Sequence, residues 1–413
     1  MKSFLTRPLM LILGFVFLDL LGYSLILPLL PYYADNFGAS VFLIGLLGTA
    51  NALGQLVAAP IFGRLSDRYG RRPLLMVSIA GTLVAFLMLG FSQSLWMIFL
   101  SRIVDGLFGG NISLAKAYIT DITDSKNRAR SLGMIGASFG LGFIIGPVLG
   151  GVLGNIQLSL PAFVAAGLSF LNLIAVILWL PESLPLAQRS TKKTNPHTDF
   201  NLNNLMDELK RPCVGPLLNI RLFYSLAFTL FQVNFSLYAK EVLELSVSQT
   251  GLILAYVGVL SVLVQAVAIG KLTERFQERT LAYVSTIVMT LMLIAWGFTG
   301  QVWLLLVILA PIALSAGVLN TILTSMLTKS VYREDVGGTL GLDSSMQTFA
   351  QIVTPGMGGL LLGTLGAPGL GLAAGGFMLI ASWITRSKVS RHAILEGPCC
   401  YCEEDLSVEG AAG

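Results

Sequence analysis

The feature that most constrains this chain is the repetition, from end to end, of apolar runs each long enough to cross a bilayer. A helix rises about 1.5 Å per residue, so roughly 20 apolar residues span a hydrocarbon core of about 30 Å. The runs read 8–30, 42–62, 73–91, 95–117, 131–154 and 160–180, then 217–239, 248–270, 280–299, 302–325, 338–363 and 366–386. In lipid every backbone polar group must be satisfied inside its own segment, which selects helices here, so the fold class is an all-α membrane protein of about twelve transmembrane helices. The 413 residues are 54% hydrophobic and only 12% charged, with a mean hydropathy of +0.78, which excludes a water-soluble globule. The first run has no small-residue cleavage site after it and reads as a retained span.

The net charge of +4 does not point to nucleic acid, because the basic residues sit in short breaks between apolar runs. Lys2 and Arg7, Arg64 to Arg72, Lys126 to Arg130, Arg189 to Arg211, Lys271 to Arg279, Lys329 with Arg333, and Arg386 to Arg391 occupy one alternate set of breaks. Only Arg102, Lys116, Arg221 and Lys240 lie elsewhere. Short basic loops stay cytoplasmic, so both termini are expected on that side and the number of spans is even. The long polar break rich in Ser, Thr, Asn, Lys and Pro reads as a cytoplasmic linker. The expected organisation is a six-helix half over 1–180, the linker over 181–216, a second six-helix half over 217–388 and a cytoplasmic tail over 389–413. Cys213 is isolated and Cys399, Cys400 and Cys402 cluster in the tail, so no disulfide framework follows. No metal site is expected.

The two halves repeat one another. Gly63-Arg-Leu-Ser-Asp-Arg-Tyr-Gly-Arg-Arg72 follows the second run, and Gly270-Lys-Leu-Thr-Glu-Arg-Phe-Gln-Glu-Arg279 follows the eighth. Leu132-Gly133 and Gly146-Pro147-Val-Leu-Gly150-Gly151 match Leu340-Gly341 and Thr354-Pro355-Gly-Met-Gly358-Gly359. Equivalent loops on one side of the membrane imply parallel copies related by a pseudo-two-fold axis along the membrane normal. In the first loop, Gly63 and Gly70 suit close packing and a tight turn, and Asp67 can face a helix N-terminus or a basic side chain. With Arg68, Arg71, Arg72 and Asp121 at the inner end of the fourth run, these residues make a candidate cytoplasmic latch; a topogenic basic loop is the plainer reading. Gly142, Gly146 and Gly150 recur every four positions and smooth one face of the fifth run, and Pro147 removes a backbone donor and permits a bend, so packing helix and hinge both remain open.

These motifs resemble those of the major facilitator superfamily, and within it the twelve-span drug:proton antiporters of the tetracycline-exporter-like branch. The loop Gly63 to Arg72 carries the superfamily's loop signature; Asp19-Leu-Leu-Gly22 through Pro28-Leu-Leu-Pro31, Arg102-Ile-Val-Asp-Gly106 and Ala117 through Arg130 are similar to the exporters' spans and loops. Gly142-Phe-Ile-Ile-Gly146-Pro147-Val-Leu-Gly150-Gly151 resembles the antiporter signature, and this implies a hinge in the exchange cycle. The resemblance implies a major facilitator fold of two pseudo-symmetric halves and export of a small organic molecule against proton uptake, without a cofactor. The chain departs from the pattern at Asp105, where a glutamine is usual, and in the ninth run, which lacks the exporters' acid.

Charges inside spans are costly and mark candidate sites. Asp19 lies about 11 residues from the outer end of its run, roughly 16 Å deep. Arg102 lies about 7 residues below the outer end of the fourth run and Asp105 one turn deeper on the same face. The three are expected to form one network in which Asp19 exchanges a proton in competition with substrate, a static ion pair being the structural alternative. Asn51 and Gln55 can line the same cavity. Arg221 and Asp343 can pair or cap helices, while Lys116 is expected to snorkel. Phe223, Phe228, Phe231, Tyr256 and Trp296 suit an amphiphilic ligand. His197 and His392 lie outside the runs, and the sequons Asn111-Ile-Ser113 and Asn234-Phe-Ser236 fall inside spans and are discounted. The expected partners are a small-molecule substrate, protons and the lipid bilayer, not nucleic acid, and the expected state is a monomer. No phosphate-binding loop is present, so the proton gradient rather than ATP is the expected energy source, and no enzyme activity is expected. The plasma or inner membrane is the expected location, with an organelle membrane as the alternative. A facilitator or symporter of a sugar, organic anion or other metabolite is the rival task, and a non-transporting receptor-like protein is a further one.

Overall fold

The computed structural model describes residues 6–123, 125–184, 214–331 and 336–389. His197, Cys213, His392, Cys399, Cys400 and Cys402, together with most of the expected linker and tail, lie outside the described residues.

The first helix, α1 (Arg7–Ile26), opens on Pro8, whose fixed φ suits a first turn, and continues through a 3₁₀ turn (Leu27–Leu29) into α2 (Leu30–Asp35). Ser40 caps α3 (Val41–Tyr69) by accepting from the backbone N–H of Leu43. There follow α4 (Arg71–Gly90), α5 (Leu95–Leu107), α6 (Asn111–Ile122), α7 (Ser125–Ile156) and α8 (Leu160–Trp179). The later helices are α9 (Val214–Glu241), α10 (Val247–Leu263), α11 (Ile269–Arg275) beyond a π-helical turn, α12 (Glu278–Gly297), α13 (Val302–Lys329) and α14 (Val336–Ile384). No strand occurs among the described residues.

Among the described residues, ten segments are long and apolar enough to cross a membrane. The last, Thr339–Ser387, bends at Gly366, whose φ of 67° and ψ of −165° only glycine adopts without strain, and so serves as two crossings. Val247–Leu263 supplies the remaining one, giving the twelve spans read from the sequence. Leu53, Leu56, Val57 and Ile61 on α3 and Phe170, Leu171 and Leu178 on α8 are exposed, as faces solvated by lipid tails must be. Gly90-Phe-Ser-Gln-Ser-Leu-Trp96 and Gly297-Phe-Thr-Gly-Gln-Val-Trp303 are similar turns between consecutive spans, and each leaves a Phe and a Trp exposed (Phe91 and Trp96, Phe298 and Trp303), as suits a membrane interface.

Two differences from the expected runs matter. The second span does not end at residue 62: α3 stays helical to Tyr69, so most of the Gly63 to Arg72 motif is the end of a helix, and the chain turns only at Gly70, with φ 105°. The fourth span is not one helix: Phe108, Gly109 and Gly110 separate α5 from α6.

The chain divides into two compact units. The first comprises the described residues within 1–193, 233–262 and 351–367, and the second those within 194–232, 263–350 and 368–413. Within the first, α1 packs on α7 and α8, α4 on α8, and α3 on α5. The α3–α5 contact is glycine to glycine: a Cβ on Gly54 would stand 2.8 Å from the Gly106 backbone. Also in this unit, Lys240 bridges Asp35 at 3.0 Å and Glu241 at 2.7 Å, and the Tyr32 hydroxyl donates to the Leu245 carbonyl at 2.8 Å. In the second unit, α12 packs on α13.

Candidate functional site

The first unit holds a polar cluster among apolar helices. Arg102 and Asp105, one turn apart on α5, form an ion pair at 3.4 Å, and both are buried, at 2% and 6% exposure. The Asn51 amide on α3 donates to Asp105 Oδ2 at 2.9 Å and to the Arg102 carbonyl at 3.2 Å, which the Gly54–Gly106 approach makes possible. Gln55, one turn along α3, donates to Asn51 Oδ1 at 2.8 Å. The Arg102 guanidinium also donates to Ser101 Oγ at 3.3 Å and lies 5.8 Å above the Phe86 ring. All four sequence candidates on these helices therefore meet in one bonded network.

Asp19 stands beside that network and is not bonded to Arg102, whereas the sequence reading expected Asp19, Arg102 and Asp105 in one network. Its carboxylate accepts from Asn111 Nδ2 at 2.6 Å, and that amide also reaches Thr82 Oγ1 at 3.4 Å. Asp19, Tyr23 and Leu27, four residues apart, are partly exposed, while residues 20–22 and 24–26 between them are buried. The break at residues 108–110 explains the partner: it resets the helix so that Asn111 begins α6 and meets α1. Asn111 was set aside in the sequence as an unusable sequon; the signal that could have found it is Gly109-Gly110 interrupting an apolar run. Asn234, in the other discounted sequon, is likewise buried, and it donates to the Thr354 carbonyl at 3.1 Å.

At the basic end of the same unit, Arg71 is the hub. Its guanidinium pairs with Asp67 at 2.7 Å and Asp121 at 3.1 Å and also bonds Ser66 Oγ. Asp67 thus meets a basic side chain, not the N-terminus of α4. That N-terminus is taken by Glu182, whose carboxylate accepts from the Arg71 N–H at 2.9 Å and the Arg72 N–H at 3.3 Å. Sequence reasoning missed Glu182; the signal is an acid just past a span end, in Pro181-Glu-Ser183. Arg72 donates to the Ile177 carbonyl, and Arg68 lies exposed with its charge 5.4 Å from the centroid of the Tyr69 ring. Gly63 does not mediate close packing here, since a Cβ added to it would meet nothing within 4 Å.

The fifth-span glycines lie where α7 crosses α1. A Cβ on Gly142 would come 3.3 Å from the Leu20 backbone, one on Gly146 would meet Ser24, and one on Gly150 would strike the Leu25 carbonyl. Ser24 Oγ donates to the Gly142 carbonyl at 2.8 Å across this seam. Gly151 faces Ser248 on α10, and the Pro147 carbonyl lies against Gly251; α7 is continuous through Pro147.

In the second unit Arg221 and Asp343 pair with each other at 2.7 Å, with Asn320 and Gln347 bonded to them. Phe231 and Trp296 stack edge to face at 5.0 Å and are buried, so they are core and not ligand-lining residues. Lys116 is exposed.

A sequence profile of the Major Facilitator Superfamily matches residues 12–220 and 217–397, which covers both repeats. The chain belongs to the Major Facilitator Superfamily. It is 31% identical to the class C tetracycline resistance protein of Escherichia coli, over 86% of this chain and 89% of that one. It is 28% identical to human solute carrier family 67 member A1, over 86% of this chain and 87% of that one. Among solved structures, the human organic anion transporter MFSD10 superposes with a TM-score of 0.69 at 20% identity, covering 92% of this chain and 99% of that one. The superfamily assignment makes this an integral, multi-pass transporter of a small-molecule substrate, and its family and fold are those of transporters rather than of enzymes.

Proposed function

We propose that this transporter is a proton-coupled exporter of a small organic molecule, in which Asp19 takes up and releases the coupling proton. The observation that carries this reading is the contrast between two carboxylates. Asp105 is sealed and has both a guanidinium and an amide as partners, whereas Asp19 is partly exposed in mid-span and, among the described residues, bonds only the neutral Asn111. One guanidinium cannot neutralise two carboxylates, so the cluster carries one excess negative charge whenever both are ionised. Isolated buried charge is expensive, and a proton or a cationic group on Asp19 restores balance. A site that balances its charge with either a proton or a ligand makes the two compete, which is the requirement for exchange.

The relatives named as tetracycline resistance proteins support export of a drug-like molecule, and the basic loops support placing both termini in the cytoplasm. Export then runs by alternating access, with the Arg71, Asp67, Asp121 and Glu182 cluster bracing the cytoplasmic ends of the first-half helices. The antiporter-signature glycines of α7 provide the close seam along which α1 slides or bends. The protein works as a monomer in the plasma or inner membrane.

The test uses purified protein in liposomes with tetracycline as the first probe. A transmembrane pH gradient, interior acidic, should drive accumulation that a protonophore collapses. Accumulation that is equal with and without the gradient would contradict proton coupling.

A further inference from the structure

The Asp19 site contains an amide whose far end has no partner. Asn111 is 4% exposed, its Nδ2 faces Asp19 and Thr82, and its Oδ1 is buried without a hydrogen-bond partner among the described residues. A buried asparagine is ordinarily fixed by bonds at both ends of its amide, because each unpaired end is penalised. Here the far end fixes nothing, so the orientation of the amide is set by Asp19 and Thr82 alone.

Those two partners accept either orientation. Ionised Asp19 is an acceptor and requires Nδ2; protonated Asp19 has an O–H to donate and requires Oδ1. The Thr82 hydroxyl rotates, accepting from Nδ2 in the first case and donating to Oδ1 in the second. Nitrogen and oxygen of an amide are nearly the same size, so a half-turn about the last side-chain bond exchanges them with little change of packing. The end left without a partner occupies the same place in both orientations, so its penalty largely cancels between them.

We propose that Asn111 is the positioning residue of the Asp19 site, holding the carboxylate through Nδ2 and the protonated carboxyl group through Oδ1 by a half-turn of its amide. The inference rests on the reading of Asp19 as the proton carrier. The proton itself comes from and returns to water, and no covalent bond other than the carboxyl O–H is made or broken. The other charged or titratable groups near Asp19 are Asp105 and Arg102 on α5 and Tyr23 one turn along α1. The helix α8 contains no titratable residue, and neither does α7 from Ser131 onward.

Infrared difference spectroscopy of the purified full-length chain tests this without knowledge of the substrate, because a protonated carboxyl group has its own carbonyl band, whose position reports its hydrogen bonds. Titrating the wild type should reveal a band that Asp19→Asn removes. In Asn111→Leu that band should change position, and its titration midpoint should rise by about one pH unit, with the proton held roughly tenfold more tightly, because the bond lost to the carboxylate is charge-assisted and stronger than the one lost to the protonated group. Asn111→Ala, which removes the amide without adding bulk, should show the same change and decides the matter if the leucine variant does not insert. No band dependent on Asp19 would overturn the proton reading itself and this proposal with it. A band present but unmoved in position, with a midpoint within about 0.3 pH unit of wild type in the variant that inserts, would overturn the role of Asn111 alone.

Discussion

Replacing Arg102 with methionine should show that the α5 charges are one unit. The substitution keeps most of the side-chain length but leaves the Asp105 carboxylate, 6% exposed, with only the Asn51 amide at 2.9 Å. Removing one member of a buried pair costs about 3–5 kcal/mol, because a charge is stranded away from water. Asp105→Asn strands the other charge: Arg102, 2% exposed, then has no counter-charge and only neutral partners, among them the Ser101 hydroxyl at 3.3 Å and the Phe86 ring at 5.8 Å. Its cost is of the same order. Arg102→Met with Asp105→Asn removes both charges, and such replacements are often close to neutral. The double variant should therefore be more stable than either single one, although adding the two losses predicts about 6–10 kcal/mol. Thermal unfolding of the purified chain in detergent reads this as single variants melting roughly 3–6 °C low and the double variant within about 1 °C of wild type. A double variant that melts as low as the summed losses predict would refute the paired account and require each charge to be satisfied independently.

Glu182→Gln weakens the acceptor on the first turn of α4 and should cost about 0.5–2 kcal/mol, measured by unfolding, without altering substrate binding. In the second unit, Glu278 at the start of α12 bonds Lys329 at 2.9 Å and Ser325 at 2.9 Å. The repeat places Lys329 opposite Asp121, so this pair is the charge-reversed counterpart of Arg71 with Asp121. Glu278→Lys and Lys329→Glu should each slow transport in liposomes, and together restore it; equal impairment in the double variant would argue against the pairing. Gly54→Leu drives a side chain into the Gly106 backbone, so it should lower the yield of folded protein on size-exclusion chromatography and separate Asn51 from Asp105.

Sequence reading captured whatever depends on a local pattern. Apolar run length gave the spans, because hydrogen-bond satisfaction in lipid is decided within each segment. The four-residue spacing of Asp67 and Arg71 made their contact one of the two readings open to Asp67, and Asp121 was placed near Arg71 or Arg72 by its depth at the same end of the spans. The residues Asn51, Gln55, Arg102 and Asp105 were legible as candidates, because intramembrane polar groups stand out against an apolar background, but their bonding to one another was not. What escaped depends on how distant helices meet. Asp19 was assigned to Arg102 on depth alone, but the Phe108-Gly109-Gly110 break shifts the register of the fourth span and brings Asn111 to it instead. Glu182 is more than a hundred residues from the N–H groups it caps, and nothing local marks such a distance. Gly70 shows why the two loops differ: its φ of 105° demands glycine, whereas Phe276 and Gln277 make the second turn in extended backbone that any residue adopts.

Transport by Asp19→Asn in proteoliposomes tests the central claim most directly, comparing accumulation driven by a pH gradient with counterflow of labelled probe at equal pH on both sides. Asparagine keeps the shape of the side chain and cannot carry the proton. The account predicts that gradient-driven accumulation is abolished while counterflow persists. Accumulation that still follows the pH gradient in this variant would contradict it.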